Sequence, residues 1–254
     1  MKFFIDVQGT LIDDTHRLPL PGAIEFVDAL NKKAIPYVII TNNTKQLDFL
    51  EYLRTLGFEI DDQNYIDPLQ ILPEAMPYKR VAAYGLDQFL QTLQKLGFIL
   101  EYKDPEAVLL SVKRDYTFEE FADIDEFLLL GKPLFGMHQT SLYAKGDRRY
   151  PGVGALAAMF SFATGVQPQF IGKPSEYFFK KALEKIGAKN FKEITIISDD
   201  VQGDLMGAAK LGMRSVFVLS GKYKRAEEIL PKLGFTPDLV CRDIAEAGKK
   251  LGVL

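Results

Sequence analysis

Asp6 closes an apolar run, Phe3-Phe4-Ile5-Asp6-Val7, and Gln8-Gly9-Thr10 follows at once, so one carboxylate is delivered to the end of a β-type segment before the chain turns. Thr41-Asn42-Asn43, Gly172-Lys173-Pro174 and Asp199 complete an ordered set. An aspartate so placed can attack phosphorus and can also ligate Mg²⁺, a hard cation that takes carboxylate, phosphate and water oxygens. Taken singly, each of these residues is more simply a helix cap or turn residue. Taken together and in this order, they point to phosphoryl transfer. Gln8 is the exception in the set. Two residues beyond Asp6, where such chemistry wants a second carboxylate, the chain has a neutral amide that hydrogen-bonds but exchanges no proton at working pH.

Short β-branched or aromatic runs alternate with amphipathic stretches, the pattern of a parallel sheet with crossover helices. The spacing predicts a strand over Lys2 to Val7, a helix from Pro21-Gly22 through Lys32, a strand over Tyr37 to Thr41 and a helix over Lys45 to Leu56. Near the C-terminus it predicts a helix over Ser175 to Ile186, a strand over Ile194 to Ser198, a helix over Gly203 to Leu211 and a strand over Ser215 to Leu219. Asp6, Thr41 and Asp199 then sit at the carboxyl ends of strands, where open α/β sheets bind ligands. Between these halves lies a segment with its own alternation: strands at Arg80 to Tyr84, Ala107 to Ser111 and Pro133 to Met137, and helices at Leu86 to Leu96, Phe118 to Leu130 and Val153 to Thr164. It reads as a second α/β unit inserted into the first, with Pro73 and Pro77 at one junction and Gly165 to Pro168 at the other.

Composition narrows the function classes. The chain has 254 residues, 47% hydrophobic, enough for a well-buried core and two domains. A net charge of -3 argues against general nucleic-acid binding, and the basic clusters Lys222 to Arg225 and Arg148-Arg149 read as solvated surface. The single cysteine, Cys241, excludes an intrachain disulfide framework and fits a reducing compartment; a small apolar role suits it better than a catalytic one. No stretch reaches the roughly 18 apolar residues a bilayer span needs, so the expected location is cytoplasmic, with no membrane partner.

In order along the chain come Asp6 to Thr10, the helix start Pro21-Gly22-Ala23, Thr41-Asn42-Asn43, Gly152-Val153-Gly154-Ala155-Leu156, Gly172-Lys173-Pro174-Ser175, and Asp199 with Asp204 before Gly207-Ala208. This set resembles the haloacid dehalogenase (HAD) superfamily over essentially the whole chain. The resemblance is to the branch of small-metabolite phosphatases related to nitrophenylphosphatases, phosphoglycolate phosphatases and the nucleotide phosphatase of the bacterial N-acetylglucosamine operon. It implies a Rossmann-like parallel-sheet core, residues 1–76 and 170–254, with an inserted α/β cap, residues 77–169.

Carried over position by position, the resemblance makes Asp6 the nucleophile that forms an aspartyl-phosphate. Asp6, the main-chain carbonyl of Gln8 and Asp199 would hold Mg²⁺. Thr41 and the Asn42 N–H would hold phosphate oxygens beside Asn43, and Lys173 would counter the repulsion between anionic nucleophile and substrate. Asp204 would orient Lys173 or a metal-bound water, with Asp200 as an alternative; Asp204 is equally well a helix N-terminal carboxylate. His138, after the strand ending at Met137, falls in the region resembling the substrate-facing cap loop, although a structural role fits it as well. Caps of this type often dimerise, so Leu156, Met159 and Phe160 could serve a homodimer interface or an intradomain core.

The sequence departs from the family twice. Ser198 stands where glycine usually precedes the metal-binding aspartate, a change expected to be tolerated. Gln8 stands where an aspartate normally protonates the leaving oxygen and then deprotonates the hydrolytic water. Loss of such a group costs about 10² to 10⁴ in rate. The expected function is therefore a Mg²⁺-dependent phosphohydrolase of a small phosphorylated metabolite, slow or restricted to good leaving groups. The alternatives are a catalytically impaired homologue with a binding or regulatory role, and an enzyme whose aspartyl-phosphate persists or transfers elsewhere. Asp13 or Asp14, in the region resembling the family's flap, could approach the leaving group but read more simply as loop carboxylates.

Overall fold

The computed structural model describes residues 1–145 and 148–254. The chain opens with β1 (Lys2–Asp6), α1 (Ala23–Lys32), β2 (Tyr37–Ile40), α2 (Phe49–Thr55) and β3 (Tyr65–Ile66). There follow α3 (Pro68–Ala75), β4 (Arg80–Tyr84), α4 (Asp87–Lys95), β5 (Ile99–Leu100), β6 (Ala107–Leu110), α5 (Phe118–Leu129) and β7 (Leu134–Gly136). Next come β8 (Leu142–Lys145), β9 (Arg148–Pro151), α6 (Val153–Thr164) and β10 (Gln169–Phe170). The chain closes with α7 (Glu176–Lys185), β11 (Ile194–Ser198), a π-helical turn at Val201–Leu205 running into α8 (Met206–Lys210), β12 (Arg214–Val218), α9 (Leu230–Leu233), β13 (Leu239–Cys241) and α10 (Ile244–Lys250).

Two compact units result. The first comprises Met1–Thr41, Asp48–Ile66 and Phe179–Leu254; the second comprises Asn42–Leu47 and Asp67–Phe178. In the first unit six strands form a parallel sheet in the order β13-β12-β11-β1-β2-β3. The chain builds β1, β2 and β3 towards one edge and later returns to lay β11, β12 and β13 on the other side of β1. The strand order therefore reverses between β1 and β11. Both faces of β1 are covered: Phe3 and Ile5 join Phe26, Leu30 and Phe49 in one core cluster, and Phe4 stacks on Phe179 at 6.3 Å. This is why the strand is an apolar run rather than an alternating one.

The second unit holds a parallel sheet of five strands in the order β10-β7-β6-β4-β5, together with the antiparallel pair β8-β9. Ala82, Val108 and Leu110 pack with Ile124 and Leu128 of α5 and with Ala157 and Phe160 of α6. A capping box between Thr117 and Glu120 starts α5. Phe160 and, in part, Leu156 belong to this core, while Met159 is exposed. Cys241 is buried and reduced. No helix among the described residues is long and apolar enough to cross a membrane.

Several elements differ from the sequence expectation. The two-residue strands β3, β5 and β10, the β8-β9 pair and α3 have no predicted counterpart. Pro73 lies inside α3, which starts from an Asp67 cap on the Gln70 N–H (3.0 Å). The helix predicted from Lys45 begins only at Phe49. Ahead of it, the Asn43 side chain donates to Gln46 O (2.8 Å) and accepts from Lys45 N–H (3.2 Å), fixing a loop instead of a first turn. The helix predicted from Gly203 opens as the wide turn at Val201–Leu205, in which the Leu205 N–H reaches back five residues to Asp200 O at 3.1 Å.

Candidate active site

The reversal point of the six-stranded sheet collects the predicted carboxylates. Parallel pairing sets Ile5 opposite Ile197 and Asp6 opposite Ile40, so Asp6, Thr41 and Asp199 all leave the carboxyl ends of three adjacent strands. Asp6, Thr41 and Asp199 are each at most 5% exposed. Burial, and then the negative charge of Asp6, push the Asp199 carboxyl well above the usual carboxylate range. The charge of Asp6 thus works against ionisation of Asp199, a repulsion of the kind a hard cation offsets.

The Asp199 carboxylate is fixed from several sides. Its Oδ2 accepts the Lys222 N–H at 2.7 Å, and its own N–H donates to Thr10 Oγ1 at 3.2 Å. A Cβ added at Gly9 would lie 2.2 Å from Asp199 Oδ2, and one at Gly221 1.9 Å. Both positions need glycine because the main chain itself walls the carboxylate, and Gly9 also holds φ at +72°. The Ser220 hydroxyl donates to Gly9 O at 2.7 Å, tying the two walls together.

Gln8 is half-buried, and its carboxamide oxygen accepts the Thr41 hydroxyl at 3.0 Å. Its main-chain carbonyl accepts no hydrogen bond from another described residue. Asp200 and Asp204 belong to a network centred on Ser198: the Ser198 hydroxyl donates to Asp204 Oδ2 (2.7 Å) and accepts the Asp200 N–H (3.0 Å). Asp200 caps the Val201–Leu205 turn through the Gly203 N–H (2.9 Å) and pairs with the Lys222 ammonium. Burial works against that ammonium, but Asp200 and Asp199 outweigh it and hold its pKa above the ordinary lysine value. Lys222 is exposed, as expected, and in addition its ammonium and N–H pair with the carboxylate cluster. The signal available in the sequence was Gly221-Lys222 placed just beyond a strand neighbouring the one that carries Asp199.

A second group of predicted residues lies in the other unit. Asn42 and Lys173 clasp each other: the Lys173 N–H donates to Asn42 Oδ1 (2.8 Å), and Asn42 Nδ2 donates to Lys173 O (3.3 Å). A Cβ on Gly172 would meet Asn42 Oδ1 at 2.5 Å and Met137 O at 2.7 Å, so the clasp closes only over glycine. Lys173 is 2% exposed. The Asn43 side chain holds its own loop and donates to Asp67 Oδ2 at 3.2 Å. His138 is buried just after β7. Asp13, weighed as a flap carboxylate, accepts the N–H groups of Thr15, His16 and Leu18 and so orders the loop.

Comparison with known proteins bears on the family and the fold. A family model described as haloacid dehalogenase-like hydrolase matches residues 3–99, and one described as HAD-hydrolase-like matches residues 170–247. The chain is 29% identical over 249 residues to haloacid dehalogenase-like hydrolase domain-containing protein 2 of Bos taurus, covering 96% of this chain and 92% of that one. It is 25% identical over 246 residues to ribonucleotide monophosphatase NagD of Escherichia coli, covering 95% of each. The solved structure of a 4-nitrophenylphosphatase from Thermotoga maritima superposes with a TM-score of 0.83 at 25% identity, over 98% of this chain and 96% of that one. The chain belongs to the haloacid dehalogenase superfamily, in its NagD and p-nitrophenylphosphatase branch with an inserted cap domain.

Proposed function

We propose that the protein is a Mg²⁺-dependent phosphohydrolase of a small phosphorylated metabolite, working through an aspartyl-phosphate on Asp6 and slowed by Gln8. The observation that carries this reading is the buried Asp6 and Asp199 pair at the reversal point of the six-stranded sheet, with Asp199 walled by Gly9 and Gly221. These residues fit a divalent cation: two carboxylates whose mutual repulsion it would offset, and the Gln8 carbonyl, which no other described residue engages. Among the described residues no cluster of three His, Cys, Asp or Glu side chains forms a cage. An open set of two carboxylates and one carbonyl is what Mg²⁺ takes when phosphate and water complete its shell. The bound ion would supply charge neutralisation for phosphate beside an anionic nucleophile.

In this reading Asp6 attacks phosphorus, Thr41 and the Asn42 N–H hold phosphate oxygens, and Lys173, positioned by the Asn42 clasp, adds positive charge. Asp204, held by Ser198, and Asp200, paired with Lys222, keep the surrounding charges in register. The Gln8 amide donates to an oxygen but moves no proton, so esters with poor leaving groups lag at the first step and hydrolysis of the aspartyl-phosphate is slow for every ester. The name of the Escherichia coli relative, a ribonucleotide monophosphatase, supports a small phosphorylated substrate.

One observation favours a binding role with little turnover. The Gln8 carboxamide occupies the Thr41 hydroxyl, joining a phosphate-holding group to a residue that cannot act as acid or base. Mg²⁺-dependent phosphate release from an aryl and an acyl phosphate separates the readings. Release by the unmodified protein that vanishes in Asp6→Asn supports the hydrolase; release only in Gln8→Asp supports the binding role.

A further inference from the structure

The five-stranded sheet has a reversal point of its own. β5 flanks β4 on one side, and the chain then crosses to lay β6 on the other. The crevice beyond the carboxyl ends of β4 and β6 is where such a sheet admits a ligand. A cleft of about 210 Å³ lies there, lined by Tyr84 at the end of β4, Tyr102 beyond β5, Lys113 beyond β6, and Glu120 and Asp123 on α5. It is smaller than the roughly 300–1,000 Å³ of drug-sized pockets, which restricts it to a small ligand.

The chemistry of the lining is selective. Lys113 and Glu120 neutralise each other in an ion pair, and the second Glu120 oxygen accepts the Thr117 N–H at 2.9 Å. Asp123 therefore leaves one uncompensated negative charge, and it bonds to no other described residue. Tyr84 is only 5% exposed, yet its hydroxyl also bonds to no described residue. Burial, and then the charge of Asp123, push its ionisation up, so it stays a neutral phenol beside the carboxylate. The Tyr102 hydroxyl donates to Ala83 O at 2.8 Å, which fixes its ring edge-on to Tyr84 at 5.8 Å and 79°. An exposed carboxylate and a phenol oxygen that reaches solvent, beside two aromatic rings packed edge-on, suit a cation that carries N–H donors.

We propose that this cleft is a recognition site for a small organic ammonium, whose N–H groups bond Asp123 and the Tyr84 hydroxyl while its body packs on the Tyr84 and Tyr102 rings. It stands independently of the phosphatase reading. The test is an amide NMR titration of the full chain with 2-phenylethylammonium chloride, its neutral isostere phenylethanol, and inorganic phosphate. The expected result is saturable shifts confined to the amides of residues 84, 85, 102, 113 and 123, with about tenfold weaker binding in Asp123→Asn and for the neutral alcohol. Tyr84→Phe, which keeps the ring, weakens binding less and supplies the test should Asp123→Asn fail to fold. Absence of saturable shifts, equal binding by the alcohol, unchanged affinity in both variants, or phosphate shifting the same amides would overturn the proposal.

Discussion

Two parallel sheets in one chain end differently at their reversal points. Beyond β1 and β11 nearly every polar atom is committed: Gln8 to Thr41, Ser198 to Asp204 and Asp200, Lys222 to Asp199 and Asp200. Beyond β4 and β6 the Tyr84 hydroxyl and Asp123 bond to no other described residue, and aromatic rings replace carboxylate pairs. The same architecture therefore supports two chemistries. A preorganised charge cluster suits a step in which charge develops on phosphorus, since oriented groups need no rearrangement during reaction. A cleft that keeps a phenol and a carboxylate open to solvent suits equilibrium recognition.

The comparison can be pressed hardest at Gln8. Gln8→Asp restores an acid and base at the six-stranded sheet, and turnover of an alkyl phosphate should rise by about 10² to 10⁴, read as kcat. Gly221→Ala drives a Cβ to 1.9 Å from Asp199 Oδ2 and 2.7 Å from Gly9 Cα. It should cost about 2–3 kcal/mol in denaturant unfolding and remove the stabilisation given by Mg²⁺. Asn42→Ala breaks both bonds of the Lys173 clasp and should cost about 1–3 kcal/mol, with a raised KM for the aryl phosphate. Ser198→Gly releases Asp204 and should cost about 1 kcal/mol. Tyr84→Phe removes a hydroxyl with no partner among the described residues and should change stability by less than about 0.5 kcal/mol. A loss in Tyr84→Phe as large as that in Ser198→Gly would erase the contrast between the two sheet ends.

Much of the first sheet end was legible in the sequence because its strands are long apolar runs that stop at a polar residue. Lys2 to Asp6, Tyr37 to Ile40 and Ile194 to Ser198 each announce both a buried strand and the residue it delivers. The two-residue strands β3, β5 and β10 have no period to read, and α3 hides behind Pro73. The pairing of the exposed Lys222 was not foreseen because its partners lie 22 and 23 residues away and meet it only through the pairing of β11 with β12. Ser198 was expected only to be tolerated, yet it is the hub of the Asp200 and Asp204 network. The clasp between Asn42 and Lys173 spans 131 residues, beyond any local pattern. The Asp123 and Tyr84 cleft joins residues from separate crossovers, so spacing alone gives no hint of it.

The most direct test of the account is to incubate the protein with Mg²⁺ and an acyl phosphate, quench in acid, and weigh the chain and its Asp6 peptide by mass spectrometry. A good leaving group needs no acid for the first step, whereas hydrolysis of the intermediate needs the base that Gln8 cannot provide. The account predicts one added phosphoryl group on the Asp6 peptide, accumulating in the unmodified protein, short-lived in Gln8→Asp and absent in Asp6→Asn. Phosphate release that persists in Asp6→Asn, or a phosphoryl group on any other residue, would contradict it.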